Sequence, residues 1–322
     1  MAQAVQAETR LVGDIGGTNA RFGLASPAGA LLYSQVLADA DYAEIGDAIE
    51  TFLAGCGDLP RPRSGAIAIA SPITGDEIRM TNHPWRFSTE GLRQRLGFDR
   101  FLVINDFTAQ ALALPHLTEA DRSKIGGGTA VAGRPLAVLG PGSGLGVSGL
   151  IPNAGRWLPL TGEGGHATLA PATDRESAVL DHMRRQFDHV SGERCLSGPG
   201  LVNLYNALAA IDGVPAAQYT AAQITLSDTA AADPRAAEAT EMFCAMLGTV
   251  AGNLALTLGA QGGVYLGGGI VPRLGARFAA SPFRARFEAK GRFQTYLAAI
   301  PTMVVTHQLP AFLGCAAALS DE

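Results

Sequence analysis

The segment LVGDIGGTNARFGLA at 11–25 sets an aspartate, two adjacent glycines, a threonine and an asparagine between two apolar runs. A hairpin turn needs only two such residues, so the surplus asks for a chemical reason. Glycines that reach positive φ let backbone N–H groups converge on an anion, and Gly16 and Gly17 offer this. Asp14, at the end of the first run, is placed to hold a water of Mg²⁺, while Thr18 and Asn19 add hydroxyl and amide donors for phosphate oxygens. A plain turn explains the two glycines but not the polar groups around them; the alternative for Asp14 is a turn residue of the Asx kind.

Two further glycine turns suit the same work. GPGSGLG at 140–146 carries Gly142, Ser143 and Gly144, and the run at 267–269 includes Gly268. Better-known phosphate motifs are missing: there is no GxxxxGK[ST], and glycines at 140, 142, 144 and 146 do not meet GxGxxG spacing. Walker-type and Rossmann readings lose their main support. Nor is 140–146 a nucleophile elbow, because Pro141 and Leu145 stand where GxSxG needs glycine around Ser143. Any one of these turns alone reads as a hairpin; three, the first with extra chemistry, point to phosphate.

Carboxylates and a histidine supply the rest. FLVINDFTAQALALP at 101–115 ends an apolar strand pattern at Asn105 and Asp106 and then becomes helical. Asp106 at the positive end of that helix favours its ionised form at neutral pH, and strand ends are where open α/β sheets bind ligands. The alternative is that Asp106 only caps the helix. In TGEGGH at 161–166, Glu163 and His166 lie among three glycines that leave room beside the backbone. A carboxylate with an imidazole can clamp vicinal hydroxyls, although an ordinary hydrogen-bonded histidine reads equally well. Glu193, in SGERCLSGPG, reads by itself as a solvated surface residue.

These groups need a framework, and the chain supplies one by alternation. Runs rich in Val, Ile and Leu predict strands at 10–14, 20–26, 31–37, 65–70 and 101–105. Between them Ile45, Ala48, Ile49, Phe52 and Leu53 follow helical spacing in 42–55, Ser88 is placed to cap a helix ending near Gly97, and a third helix is expected from Asp106 to Leu114. At 115–135 periodicity is lost and Pro and Gly gather, which predicts a connection between lobes. LAVLGPGSGLGVSGLI at 136–151 repeats the opening design of strand, glycine turn and strand, so two similar halves are expected. Thr173 with Glu176 predicts a capping box, and Asp233-Pro234 a helix start running to Gly259. A strand, glycine turn and helix follow at 262–274, and a late strand at 301–307 precedes a short C-terminal helix. The alternation is that of an α/β chain.

With 322 residues the chain has room for two lobes of ordinary domain size. A hydrophobic share of 47% against 16% charged argues for a packed core and against disorder. Lys and Arg are scattered and the net charge is −5, so nucleic acid is not expected as a partner. Cys56, Cys195, Cys244 and Cys315 lie far apart with no CxxC pair, which predicts buried, reduced thiols rather than disulfides or a zinc knuckle. MAQAVQAET lacks the basic and apolar regions of a leader, and no run approaches the roughly 18 apolar residues of a membrane helix. A cytoplasmic protein without membrane contact is expected.

The segments LVGDIGGTNARFGLA, AIAIASPITGD, MTNHPWRFS, INDFTAQALALP, LGPGSGLGVSGLI, TGEGGHATLAP, ERCLSGPGLVNLY and LGGGIVPR, in this order, resemble those of the bacterial glucokinases of the ATP-dependent hexokinase superfamily, from about residue 10 to 315. The resemblance implies an actin-like, ribonuclease H-like α/β fold of two lobes with a cleft between them. The small lobe would be 1–110, with a C-terminal helix at about 307–322 returning to it, and the large lobe 111–306. The implied ligands are ATP, Mg²⁺ and glucose, the reaction is phosphorylation of the sugar 6-hydroxyl, and the assembly is a homodimer. The turns at 13–19 and 140–146 would hold the ATP phosphates, and the turn at 267–269 would lie near adenosine. Asp106 would be the general base, and Asn105, Glu163, His166 and Glu193 would grip the other hydroxyls, Glu193 by resemblance alone. Related ROK kinases and repressors carry a cysteine-rich zinc site after an ExGH motif; ATLAPATDRESAV follows His166 here, so no structural zinc is expected. A first strand near residue 10 leaves no helix-turn-helix to expect before it. Ser143 stands where threonine is common in the family, with the hydroxyl retained. A nucleotide-driven switch or filament protein of the same fold would keep the phosphate turns and lack the sugar clamp.

Overall fold

The computed structural model describes residues 8–27 and 29–320. Most of the segment read for a leader, and the last two positions of the expected C-terminal helix, lie outside them. Among the described residues the strands are β1 (Arg10–Ile15), β2 (Asn19–Ala25), β3 (Leu31–Ala38), β4 (Ser64–Ile69), β5 (Glu77–Arg79), β6 (Arg86–Ser88), β7 (Arg100–Asn105), β8 (Arg122–Ile125), β9 (Leu136–Pro141), β10 (Leu145–Asn153), β11 (Arg156–Thr161), β12 (Gly263–Leu266) and β13 (Thr302–Val305). The chain divides into two compact units. Unit 1 comprises Met1–Leu117, Asn153–Thr161 and His307–Glu322; unit 2 comprises Thr118–Pro152 and Gly162–Thr306.

In unit 1 the sheet order is β3-β2-β1-β4-β7. β2 is antiparallel to both of its neighbours, whereas β1, β4 and β7 run parallel. Ile15 is in register with Ile69, and Ile69 with Asn105, so the three parallel strands end level. Both faces of these strands are covered, which is why β1 and β4 read as near-continuous apolar runs. On one face Ile45, Ile49 and Phe52 of the helix Ile45–Ala54 pack with Phe22 and Ile67. On the other, Val12, Ala66 and Ala68 meet Ala109 and Phe312, carried by the helices Asp106–Ala113 and Pro310–Ala318. Each large side chain buried this way stabilises the unit by about 1.5–3 kcal/mol. The helix Thr89–Leu96 starts as expected at Ser88, whose side chain accepts the N–H of Gly91, and stops at Gly97 with φ 69°.

In unit 2, β10, β9, β12, β13 and β8 lie side by side in that order. β9 repeats the environment of β1: antiparallel to the strand that follows it and parallel to β12, as β1 is to β2 and β4. The expected repeat of design is therefore present in the topology. The stretch 115–135 is more than a connection, because RSKI forms β8 and pairs antiparallel with β13. Only Ile125 of that edge strand is buried, so no apolar run announced it.

The helix Pro234–Leu258 forms the core of unit 2. Asp233 accepts the Arg235 N–H at 3.0 Å, and Gly259 ends the helix at φ 62°. By length and composition this 25-residue helix could cross a membrane, which corrects the expectation that no segment comes near; 61% of its most apolar window is buried in the protein. Its glycines admit a neighbour, since a Cβ at Gly248 would lie 2.3 Å from the Phe283 carbonyl oxygen. The capping box at Thr173 forms by half. Thr173 accepts the Glu176 N–H, but the Glu176 carboxylate turns to the Ala172 N–H at 2.6 Å and to Arg286 at 2.7 Å. The four cysteines are free and buried, and burial pushes the thiols of Cys195 and Cys244 up to about 12.

Candidate functional site

The level strand ends of unit 1 set Asp14, the turn at 16–18 and the Asn105-Asp106 pair along one sheet edge, where parallel strands offer their carboxyl ends to ligands. Gly16 donates its N–H to the Asn19 carbonyl at 3.0 Å, and Gly17, Thr18 and Asn19 are exposed. Neither Gly16 nor Gly17 takes a positive φ, which corrects the conformational reason expected for them. Space is the reason at Gly17, where a Cβ would stand 2.7 Å from the Asn82 Cβ and 3.1 Å from the Asn82 carbonyl oxygen.

Asp14 lies cross-strand from Arg21, 3.6 Å from its guanidinium. Burial holds the Asp14 carboxyl above its ordinary value, and Arg21 opposes the shift. Among the described residues no group of three or more His, Cys, Asp or Glu could hold a metal ion. One half-buried carboxylate beside exposed turn residues does fit Mg²⁺, an ion that keeps waters and takes one or two carboxylates together with substrate phosphates.

Asn105, rather than Asp106, caps the helix Asp106–Ala113. Its Oδ1 accepts N–H groups of Phe107 at 2.9 Å and Thr108 at 3.2 Å, and its Nδ2 donates to the Ser71 carbonyl at 3.4 Å. Asp106 is the first helical residue, with its Oδ1 accepting the Phe107 N–H at 3.0 Å.

In unit 2, β12 ends at Leu266, opposite Leu139 of β9, so the turn that follows it lies against the last residues of β9, Gly140 and Pro141. A Cβ on Gly140 would lie 2.5 Å from the Gly267 carbonyl carbon, and one on Gly268 would lie 2.4 Å from the Pro141 carbonyl oxygen. Gly268 takes φ +73°, alone among the candidate glycines; Gly142 and Gly144 do not. The Gly142 N–H donates to the Gly144 carbonyl at 2.8 Å, and the Gly142 carbonyl accepts from Gly198 at 2.8 Å. Ser143 stands exposed at the tip.

The bridge between Thr168 and Ser191, with the Gly192 N–H on the Ala167 carbonyl at 2.9 Å, lays the stretch after Glu163 beside the one that carries Glu193. Glu163 and His166 are exposed, and the His166 N–H donates to the Glu163 carbonyl at 3.0 Å. His166 also lines a polar cavity of about 370 Å³ with Gln186, His189 and Arg194. Glu193 is not the solvated residue its type suggested: its Oε2 accepts the Leu145 N–H at 2.9 Å. Unit 1 thus offers an anion turn with a carboxylate at a helix start, and unit 2 a second anion turn with a set of polar side chains suited to hydroxyls.

Two residues of this arrangement were not found from sequence. Asn82 backs the first turn, and Asp39, fully buried, donates its N–H to the Thr18 carbonyl at 3.0 Å. Burial raises the Asp39 carboxyl, with the nearby His83 opposing the shift, and neither of its oxygens accepts a hydrogen bond among the described residues. Both contacts join distant positions, and no local pattern marks them.

A family model described as Glucokinase matches residues 11–322. A glucokinase of Paramagnetospirillum magneticum is 54% identical over 312 residues, covering 97% of this chain and 97% of its own. A bifunctional protein of Burkholderia pseudomallei is 53% identical over 313 residues; the match takes in 97% of this chain and 49% of that protein, so the chain spans about half the length of this curated relative. The crystal structure of a glucokinase from an Antarctic psychrotroph matches with a TM-score of 0.90 at 36% identity, covering 98% of this chain and 100% of that one.

Proposed function

The chain belongs to the glucokinase family and has its actin-like α/β fold, and from that premise we propose that it transfers the γ-phosphoryl group of ATP to the 6-hydroxyl of glucose, giving glucose 6-phosphate and ADP. The observation that carries this reading is the level edge of unit 1, where the same three strand ends set both an anion turn and Asp106. Phosphoryl transfer asks a protein for positioning and charge stabilisation, with no covalent nucleophile.

Asp106 is the general base, kept ionised by the helix start, and takes the proton of the 6-hydroxyl as its oxygen attacks phosphorus. Asn105 has its Oδ1 committed to the helix cap, so Nδ2 is the atom it offers a hydroxyl. Glu163, His166 and Glu193 hold the remaining hydroxyls. The N–H groups of Gly16 and Gly142 close their own turns, so the backbone N–H groups of Gly17, Thr18, Ser143 and Gly144, helped by the side chains of Thr18, Asn19 and Ser143, take the phosphates, and the turn at Gly268 receives the adenosine end. Bound Mg²⁺ would neutralise phosphate charge, with Asp14 holding one of its waters.

In this reading the small lobe is 1–110 with the helix at about 307–322, the large lobe is 111–306, and the working form is a cytoplasmic homodimer, as the family resemblance implies. Sedimentation velocity tests the dimer. The activity is tested by following ADP release in a coupled assay with and without glucose, mannose and glucosamine. Hexose- and Mg²⁺-dependent ADP release is expected. Equal ADP release with and without hexose would leave a nucleotide-driven switch of the same fold as the better reading.

A further inference from the structure

The loop of the second phosphate turn is held at both ends by one short segment of unit 2. At its start, the Gly142 carbonyl accepts the Gly198 N–H at 2.8 Å; at its finish, the Leu145 N–H donates to Glu193 Oε2 at 2.9 Å. Residues 193 and 198 are themselves tied together. Ser197 Oγ donates to the Glu193 carbonyl at 2.8 Å and accepts the Gly200 N–H at 3.0 Å, which caps the helix Gly198–Ile211.

Leu145 is also where the proposed sugar clamp bears on this turn. A Cβ at Gly165, between Glu163 and His166, would lie 1.9 Å from the Leu145 carbonyl oxygen, and one at Gly192 would lie 3.2 Å from Leu145 Cδ2. Leu145 is 4% exposed, so it has no slack to absorb a shift on one side without passing it to the other. Glu193 completes the junction. One carboxylate oxygen is spent on the backbone of the phosphate turn, and a carboxylate has a second to offer a hydroxyl. Gly144 must be glycine for this to work, because a Cβ there would stand 2.4 Å from Glu193 Oε2.

We propose that Glu193 is a positioning residue for the second phosphate turn as well as a sugar ligand, and that through Leu145 it couples hexose binding to nucleotide binding inside unit 2. The coupling rests on the glucokinase reading above; the positioning role does not. Because linkage is reciprocal, a change made on either ligand's side must be felt on the other.

The test is calorimetry with glucose and with Mg²⁺-AMP-PNP, each alone and each in the presence of the other, on three variants checked for folding by thermal unfolding. Gly144→Ala, a change in the phosphate turn, should weaken glucose binding in the absence of nucleotide by about tenfold, the loss expected when a charged acceptor is displaced. Glu193→Ala should weaken both ligands and bring the ratio of glucose affinities with and without AMP-PNP towards one. Glu193→Gln keeps an oxygen for the Leu145 N–H, so it should recover nucleotide binding to within about threefold of the parent while glucose stays about tenfold weaker. Unchanged glucose affinity in Gly144→Ala overturns the coupling, and unchanged nucleotide affinity in Glu193→Ala overturns the positioning role. A parent protein that binds AMP-PNP but not glucose overturns the sugar reading instead, and the nucleotide arm still decides between Glu193→Ala and Glu193→Gln.

Discussion

Asp106 and Glu163 are both proposed to meet a hydroxyl, but the chemistry asks different things of them. Asp106→Asn keeps size and some hydrogen bonding yet cannot accept a proton, so turnover should fall by roughly 10²–10⁴ with glucose still bound. Glu163→Gln should mainly raise the glucose KM by about tenfold, with a smaller loss of turnover because remote binding helps place the reacting oxygen. Steady-state kinetics with calorimetric glucose binding checks both; near-normal turnover in Asp106→Asn would remove the base, and an unchanged KM in Glu163→Gln would remove the clamp. Asp14 gives a prediction with a sign. Burial raises its carboxyl in the folded chain, against Arg21, so the stability linked to its proton is present below the unfolded value and lost as pH rises through the raised one. Asp14→Asn should therefore melt above the parent at about pH 8, the gap closing on acidification, while Mg²⁺-ATP binding weakens. A variant that melts below the parent there would mean the Arg21 pairing outweighs burial. At this scale residue types were legible and their surroundings were not: a strand-end aspartate can be read locally, but the press of Gly17 against Asn82 and the bond from Leu145 to Glu193 join distant positions.

Each candidate group sits at the end of an element, so helix and strand packing set its position. Gly314 shows how tightly: a Cβ there would fall 1.8 Å from the Ala109 carbonyl oxygen, on the helix that Asp106 begins. Gly314→Ala must move one backbone, which should cost about 1–3 kcal/mol of stability. It should also lower turnover by about tenfold or more, since displacing a catalytic group by even 1 Å is expensive. Gly75→Ala, a site with nothing within 4 Å, is the control and should change neither. Urea unfolding with kinetics on both variants decides it; parent-like turnover in a folded Gly314→Ala would show that the Asp106 helix tolerates the shift. Caps were the most legible feature of the elements, because Ser88, Gly97, Asp233 and Gly259 act on backbone a few residues away. Strands with little buried surface were the least legible. β8 and the three-residue pair β5 and β6 carry too few buried side chains to leave a pattern. The half-formed capping box at Thr173 has the same lesson, since Arg286, far along the chain, takes the carboxylate that local reading assigned to the cap.

For the whole molecule, the repeat of strand, glycine turn and strand was legible because it is local to each half, whereas the passages of the chain between units are not marked by composition at 153 or 161. That division bears on the reaction. Asp14, Asn105 and Asp106 belong to unit 1, and Glu163, His166 and Glu193 to unit 2, so the proposed reaction draws on residues of both. On the proposed reading the protein also has reason to close, because water that reaches the γ-phosphorus hydrolyses ATP. Glucose is therefore expected to reduce the radius of gyration in solution scattering. Of the two tryptophans, Trp85 is buried with its indole N–H on the Tyr42 carbonyl at 3.1 Å, while Trp157 is half-buried on β11, a few residues before unit 2 resumes at Gly162. Trp157 should be the reporter. In Trp85→Phe, glucose should still change the intrinsic fluorescence, and in Trp157→Phe most of the change should vanish. Calorimetry on the same samples confirms that sugar is bound; bound glucose with neither a fluorescence change nor a smaller radius would mean that the units hold their ligands without closing, and that water is excluded within each unit's own half of the chemistry.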